Sequence, residues 1–477
     1  MCKLCNRISS FLLLSIFFAG LFQLTASAKK AYDSQPPTAP QNLAAISVDQ
    51  TYVSLKWTAS SDNKAVSSYQ IFKDSVYIAS ATGTTYTVSG LTAATSYSFY
   101  VKAKDTSGNL SQSSNILKVT TSPTVQTTKI VSAYYASWSA YNGYTPLNIP
   151  ASSLTNVNYA FAKIGDDLKI AMGDPYIDPT NFAQLKQLKQ TYPQLKTLIS
   201  IGGWNDSGKF SDAALTDASR TVFADSAVAF IKQYGFNGVD IDWEYPVSGG
   251  LSTNVIRSAD KTNFTLLLQK LREKLNAQGQ LDGQKYLLTI AGGAGSAYAA
   301  NTQLSLIANY VDYASIMTYD IHGIWDSYTD FDAPLYTPAE TSPQYQWSVD
   351  QSVKTWISNG FPASKIVMGV PFYGYKYNGV PSGGTGLYKS FAGGSSISYD
   401  SLLASYINNS SYTKYFHSGA RTPWMFNGST FISYDNEVSI ADKAKYIVQN
   451  SLAGASIWEL SQNKGGQLLN ALITNLK

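Results

Sequence analysis

Three carboxylates alternate with three large apolar side chains in the stretch FNGVDIDWEYP at residues 236–246: Asp240, Asp242 and Glu244 against Val239, Ile241 and Trp243. A period of two belongs to a β-strand, whose successive side chains point to opposite faces, so the acids share one face at intervals of about 6.5–7 Å. Carboxylates this close titrate as a coupled set, and a neighbouring negative charge can keep a proton on one of them near neutral pH. That is the condition for acid–base chemistry. A solvated acidic face on an edge strand is the plainer use. The bulky apolar face and the flanking Gly235, Gly238 and Pro246 favour a barrel wall whose acid face lines a polar interior.

The elements that would hold such a strand follow from residue 129 onward, where short apolar strands alternate with amphipathic helices, the pattern of a parallel α/β fold. Strands are expected at 130–137, 157–162, 198–201, 239–243, 287–291, 313–318, 366–371 and 455–458. Helices are expected at 180–190, 218–234, 259–277, 349–358 and 440–449, with Asp217 and Ser439 as N-caps. Eight strands alternating with helices predict a (β/α)8 TIM barrel, whose active sites stand at the C-terminal ends of the strands. Glu244, just past its strand, is at that end. Residues 36–121 have a different, all-β texture of alternating runs split by Ser, Thr, Gly and Asn turns, which predicts a small sandwich. Residues 122–128 read as a short polar linker.

The acid strand resembles the D-G-x-D-x-D-x-E signature of glycoside hydrolase family 18, the chitinase family, with Asn237 where the first Asp usually stands. Ser200-Ile201-Gly202-Gly203 is similar to the S-x-G-G of that family's third strand, and Met317-Thr318-Tyr319-Asp320 to the M-x-Y-D of its sixth. Three motifs on separate expected strands agree in order. Glycosidic cleavage ordinarily uses two carboxylates, but the resemblance implies an exception in which the substrate's own 2-acetamido oxygen attacks the anomeric carbon. Glu244 would then protonate the leaving oxygen and later activate water, its proton retained with the help of the Asp242 charge. Asp242 would hydrogen-bond the acetamido N–H and stabilise the oxazolinium, and Asp240 would share a proton with Asp242. Tyr319 would donate to the acetamido carbonyl, Asp320 would contact the distorted sugar, and Trp458 would form its floor. The resemblance also puts Tyr134, Phe161, Tyr245 and Met317 in the sugar-binding pocket, with Trp204 on the leaving-group side.

Two further segments resemble known pieces. Residues 375–434, inside the long stretch between the seventh and eighth strands, are similar to the small α+β insertion that walls the cleft in one branch of the family. PPTAPQNL, Trp57, and Leu91 six residues before Tyr97 resemble a fibronectin type III domain with a tyrosine corner. Two departures from the family pattern are Ala291-Gly292-Gly293, where many relatives carry a proline, and Tyr375, where Arg is common.

The N-terminus reads as an export signal: Lys3 and Arg7, an apolar run from Phe11 to Leu24, then Ala26-Ser27-Ala28. The run is shorter than the roughly 20 residues of a membrane span. Cleavage after Ala28 would remove Cys2 and Cys5, the only cysteines, and leave 33 basic against 31 acidic residues. A secreted monomer, from a bacterium, is expected, with no disulfide, no nucleic acid partner and no membrane span. His322 and His417 are the only histidines, so no metal or cofactor is expected, an oxygen-ligand calcium site staying open. Aromatics make up 13% of the chain, including 34 Tyr and 9 Trp, flat faces suited to sugar rings as well as to cores. The substrate implied is chitin or chitooligosaccharides. The alternatives are an endo-β-N-acetylglucosaminidase acting on glycoprotein glycans, a non-hydrolytic chitin-binding lectin, and a surface adhesin in which the sandwich matters more than the barrel.

Overall fold

Alternation of buried and open side chains organises the N-terminal segment: Val53, Leu55 and Trp57 turn inward from strand Val53–Thr58, and Ile71 and Tyr69 from Val66–Lys73. The computed structural model describes residues 33–48, 52–121, 129–340 and 346–476. The expected export signal and linker lie outside the described residues. One sheet of the sandwich has the order Gln41–Val48, Val53–Thr58, Thr85–Val88, and the other Val76–Ala81, Val66–Lys73, Ser96–Asp105, Leu117–Thr120. Trp57 and Leu91 are buried, core positions for residues that carried the sandwich reading.

The segment from residue 129 onward forms a closed parallel barrel of β1 (Ile130–Ala136), β2 (Asn156–Ile164), β3 (Lys196–Gly202), β4 (Gly238–Asp242), β5 (Leu287–Gly293), β6 (Tyr313–Met317), β7 (Ile366–Pro371) and β8 (Gly454–Trp458). Neighbours in this order pair in parallel, and β8 closes on β1. The long connections carry α1 (Asp178–Thr191), α2 (Asp217–Tyr234), α3 (Asp260–Asp282), α4 (Val349–Ser358) and α5 (Glu437–Gln449), and α6 (Gln467–Asn475) follows β8. Apolar strand residues such as Val239 and Ile241 join apolar helix residues such as Phe223, Phe264 and Leu268 in one buried core. Trp243, just past β4, is 1% exposed; it stacks on Phe210 at 5.3 Å and meets Phe264 edge-on at 5.4 Å. The apolar half of the acid strand thus anchors it to the helical layer.

All eight expected strands are present, with ends displaced by one or two residues in most. The acid strand ends at Asp242, which leaves Glu244 in the following turn. The expected N-caps move. Thr216 caps α2, accepting from the Ser219 N–H, and Asp217 is the first helical residue. Asn436 caps α5, accepting from the Val438 and Ser439 N–H groups, while the Ser439 hydroxyl accepts from the Asn436 N–H. In both cases the reciprocal box, a four-residue pattern, outweighs a single favourable cap residue.

Between β7 and β8 the chain builds a five-stranded antiparallel sheet, in the order Gly393–Ser398, Tyr373–Asn378, Thr430–Tyr434, Thr422–Phe426, Thr413–His417, with a helix at Tyr399–Ser405. Its core includes Tyr377, Trp424 and Phe431, together with Phe331 from the β6–β7 connection, and Tyr319 and Trp458 pack against it. The insertion is therefore continuous with two strand ends of the barrel. No helix among the described residues is long and apolar enough to cross a membrane.

Replacing Asn436 by Ala strips α5 of an acceptor for two N–H groups and should cost about 1 kcal/mol. Thermal unfolding of the purified variant should show a midpoint lower by roughly 1–2 °C; an unchanged midpoint would mean that water replaces the cap.

Candidate active site

Register decides which acid is satisfied. Asp240 lies level with Ser200 on β3 and Thr289 on β5. The Ser200 and Thr289 hydroxyls donate to its carboxylate at 2.8 and 2.6 Å, and the Tyr134 hydroxyl adds a third bond at 2.9 Å. Two residues further along, Asp242 lies level with Gly202 and Ala291, neither of which offers a side-chain donor. Asp242 is 3% exposed, and its Oδ1 is buried without a hydrogen-bond partner among the described residues. Such an oxygen is costly unless something supplies an N–H or O–H.

These surroundings separate the three acids. Burial raises the pKa of Asp240, opposed by its three hydroxyl donors. Burial, and then the charges of Glu244 and Asp240, push Asp242 well above the usual carboxylate range. Glu244 is raised to about 7, first by burial, against a hydrogen bond with Tyr245, and then by the charge of Asp320. Burial and then the carboxylate of Asp320 hold the Glu244 proton, and the repulsion between Asp242 and Glu244 expected from the sequence acts within the same pair.

The backbone around Glu244 is pinned. Its N–H donates to the Ser207 hydroxyl at 2.8 Å, that hydroxyl donates to the Asp242 and Gly203 carbonyls, and Asn254 donates to the Glu244 carbonyl at 3.0 Å. Gly202 has φ 105°, and a Cβ there would meet the Asp242 carbonyl oxygen at 2.3 Å. The S-x-G-G motif is thus needed for close approach and a left-handed turn.

The acids open into a cleft of about 1030 Å³ at the C-terminal end of the barrel. Asp242, Glu244, Tyr245, Met317, Tyr319, Asp320, Phe161, Trp204 and Trp458 all line it, as the sequence expected. Trp458 and Phe161 stack at 5.9 Å. Asp240 does not line the cleft; it lies beneath, fully buried. Tyr134 borders the cleft but is only 2% exposed, with its ring 5.4 Å from Trp458 and its hydroxyl committed to Asp240. It supports the floor and the acid.

Sequence reasoning passed over Trp138 and Trp325, which are 48% and 58% exposed and line the same cleft. Trp138 follows β1 by two residues, so the strand-end argument applied to Trp458 would have found it. Trp325 lies in a loop, where periodicity is silent. The two departures also find their place: Ala291 gives Asp242 a small neighbour, and the Tyr375 hydroxyl joins that of Tyr373 in donating to Asp320 Oδ1, at 2.7 and 2.6 Å. Among the described residues, the acidic trio that could share a cation, Asp33, Asp62 and Asp105, precedes the barrel in the chain and is no part of this cleft.

The model of "Glycosyl hydrolases family 18" matches residues 130–463, well over half of the chain. The chain belongs to glycosyl hydrolase family 18. A fibronectin type III model matches residues 38–120, ahead of the family 18 segment. The chain is similar to chitinase A1 of Niallia circulans, 42% identical over 420 residues, covering 76% of this chain and 60% of that protein's length. Among solved structures it is similar to chitinase ChiA74 from Bacillus thuringiensis, with a TM-score of 0.70 and 34% identity over 74% of this chain and 70% of that one. It is also similar to a family 18 N-acetylglucosaminidase from Paenibacillus barengoltzii, with a TM-score of 0.67 and 37% identity over 73% of this chain and all of that one.

The raised pKa of Glu244 has a stability consequence with a definite sign. Between pH 4.5 and about 7 the folded family 18 barrel holds a proton that the unfolded chain has lost, so this group's contribution is complete below pH 4.5 and disappears as pH rises through about 7. Glu244→Gln removes that loss. The melting temperature of the variant relative to the native protein should rise between pH 5 and pH 8; a difference that does not change with pH would show that Glu244 titrates normally.

Proposed function

We propose that this protein is a chitinase, hydrolysing β-1,4 bonds between N-acetylglucosamine units with retention at the anomeric carbon, the substrate's acetamido oxygen acting as the nucleophile. The observation that carries this reading is the unpartnered Asp242 Oδ1 beside a Glu244 whose pKa is about 7. The buried oxygen is an acceptor in want of a donor, and an acetamido N–H is a donor of the right kind. Once bound there, the acetamido group has its carbonyl oxygen directed at the anomeric carbon, and the Tyr319 hydroxyl donates to that carbonyl. Near neutral pH, Glu244 holds a proton for the leaving oxygen and afterwards takes one from water. The positive charge of the oxazolinium develops beside Asp242 and favours the ionised form of that carboxyl, whose attraction the low polarity strengthens. Asp240 is already satisfied by three hydroxyls, so it supports Asp242 electrostatically without titrating against substrate.

Trp458, Phe161, Trp138, Trp204 and Trp325 offer ring faces to successive sugars, which suits a polymer. The names of similar proteins, chitinase A1 and chitinase ChiA74, support this substrate. The name of the Paenibacillus relative supports a second reading in which single N-acetylglucosamine units are released. The basic, apolar and small-residue sequence of residues 1–28 supports export of the enzyme.

The deciding experiment follows the anomeric form and length of the products from chitin tetramer in the first minutes of reaction. Initial β-anomer is expected from the native protein, with the rate lowered by at least about 100-fold in Glu244→Gln. Initial α-anomer would sink the assisted mechanism. Monosaccharide as the sole early product would select the second reading, and binding without cleavage would leave a lectin.

A further inference from the structure

We propose that Asp332 is a positioning residue for this reaction: its carboxylate fixes the left-handed turn at Asp320, and with it the Tyr319 hydroxyl and the Asp320 carboxylate that face the sugar. This rests on the reading of the cleft as a hydrolytic site. Tyr319 and Asp320 line the cleft, whereas Asp332 is 2% exposed and lies behind its wall. Asp320 has φ 52°, a conformation that L residues adopt at a cost and keep only where surrounding bonds impose it.

Those bonds come mainly from Asp332. The Asp320 N–H donates to its Oδ1 at 2.8 Å, and the Ile321 N–H donates to its carbonyl oxygen at 2.9 Å. The N–H of Asp332 in turn donates to the Ser433 hydroxyl at 2.9 Å, on the central strand Thr430–Tyr434 of the insertion sheet. The Tyr373 and Tyr375 hydroxyls hold the Asp320 carboxylate from the same sheet. The turn that carries both cleft residues is therefore fixed to the insertion at two heights, by its backbone through Asp332 and by its side chain through the two tyrosines. The insertion acts on the reacting centre through this connection.

A buried carboxyl suits the task because its surroundings let it stay uncharged. Behind it, Asp435 pairs with the fully buried Lys443 at 2.5 Å, and Asp332 Oδ2 and Asp435 Oδ1 are both buried without a partner among the described residues. Burial and the charges of Asp320 and Asp435 raise the pKa of Asp332. In the uncharged form Oδ1 still accepts the Asp320 N–H. An amide offers the same acceptor, so Asp332→Asn should preserve the turn, while Asp332→Ala removes it.

The test measures kcat and KM of the native protein, Asp332→Asn and Asp332→Ala on chitin tetramer, with melting temperatures recorded for each. The native enzyme cleaves, Asp332→Ala loses about 30- to 100-fold in kcat with KM changed less than about 3-fold, and Asp332→Asn stays within about 3-fold of native. That split and that rescue are not expected of general loosening. An alanine variant within 3-fold of native, a change confined to KM, or an asparagine variant as poor as alanine overturns the proposal. If Asp332→Ala does not fold, Ser433→Ala takes its place, with a fall in kcat of about 3- to 10-fold expected and an unchanged kcat overturning it. No cleavage by the native protein would instead overturn the hydrolytic reading, and this inference with it.

Discussion

Everything at the centre of this protein depends on the register in which β4 lies between β3 and β5. Parallel pairing sets Ser200, Asp240 and Thr289 side by side, and two residues further on it sets Gly202, Asp242 and Ala291 side by side. The first row surrounds its acid with hydroxyls; the second gives its acid small, silent neighbours. Two chemically identical side chains on one strand thereby meet opposite fates. One is satisfied below the cleft, and the other is left with a buried oxygen that no described residue satisfies. A slip of one residue would turn the acids toward the helices and place Val239 and Ile241 in the barrel interior, so the apolar packing that fixes register also fixes the electrostatics.

Much of this was legible in the sequence, because both halves of the alternation speak. The apolar half marked the strand and the polar half marked the face, and flanking glycines made a barrel wall the better environment. Tyr319, Asp320, Trp458 and Phe161 were legible as well, since they stand at strand ends where the fold gathers its chemistry. Other features need three dimensions. Tyr134 reads as a cleft aromatic from its place on β1, but its hydroxyl belongs to Asp240. Thr289 has no sequence feature that marks it as a donor, because its role comes only from lying level with an acid about fifty residues earlier. The repulsion between Asp242 and Glu244 is legible in their spacing, whereas depth of burial and the approach of Asp320, which also raise Glu244, cannot be counted along a chain. The caps of α2 and α5 show a smaller version of the same limit, where a reciprocal pair outranks the single residue that looks best alone.

The insertion between β7 and β8 joins this core more closely than a wall would require. Its tyrosines hold Asp320, its serine holds Asp332, and its apolar core runs up to Tyr319 and Trp458. A sheet of this kind is rigid along its hydrogen-bonded direction, so the sixth strand's cleft residues gain a stiff support without a long loop having to order itself. Tyr375 contributes a neutral hydroxyl to Asp320, whose carboxyl burial raises and the two tyrosine hydroxyls hold down. The Asp320 charge is one of the reasons Glu244 holds its proton.

Gly202 carries a consequence for how such an enzyme can change. Its positive φ and the nearness of the Asp242 carbonyl close the position to every side chain, and Gly203 and Gly250 face similar obstruction from the Phe161 ring and the Glu244 carbonyl. Trp138, Trp204 and Trp325, by contrast, keep about half of their surface free, although Trp138 touches the Phe161 and Trp458 rings and Trp325 the Tyr375 ring. Heritable variation is therefore channelled: the frame around the acids is brittle to almost any replacement, while the half-exposed ring surfaces leave more room for exchange. A lineage, or a laboratory selection, can retune what the cleft grips many times over on one unaltered centre.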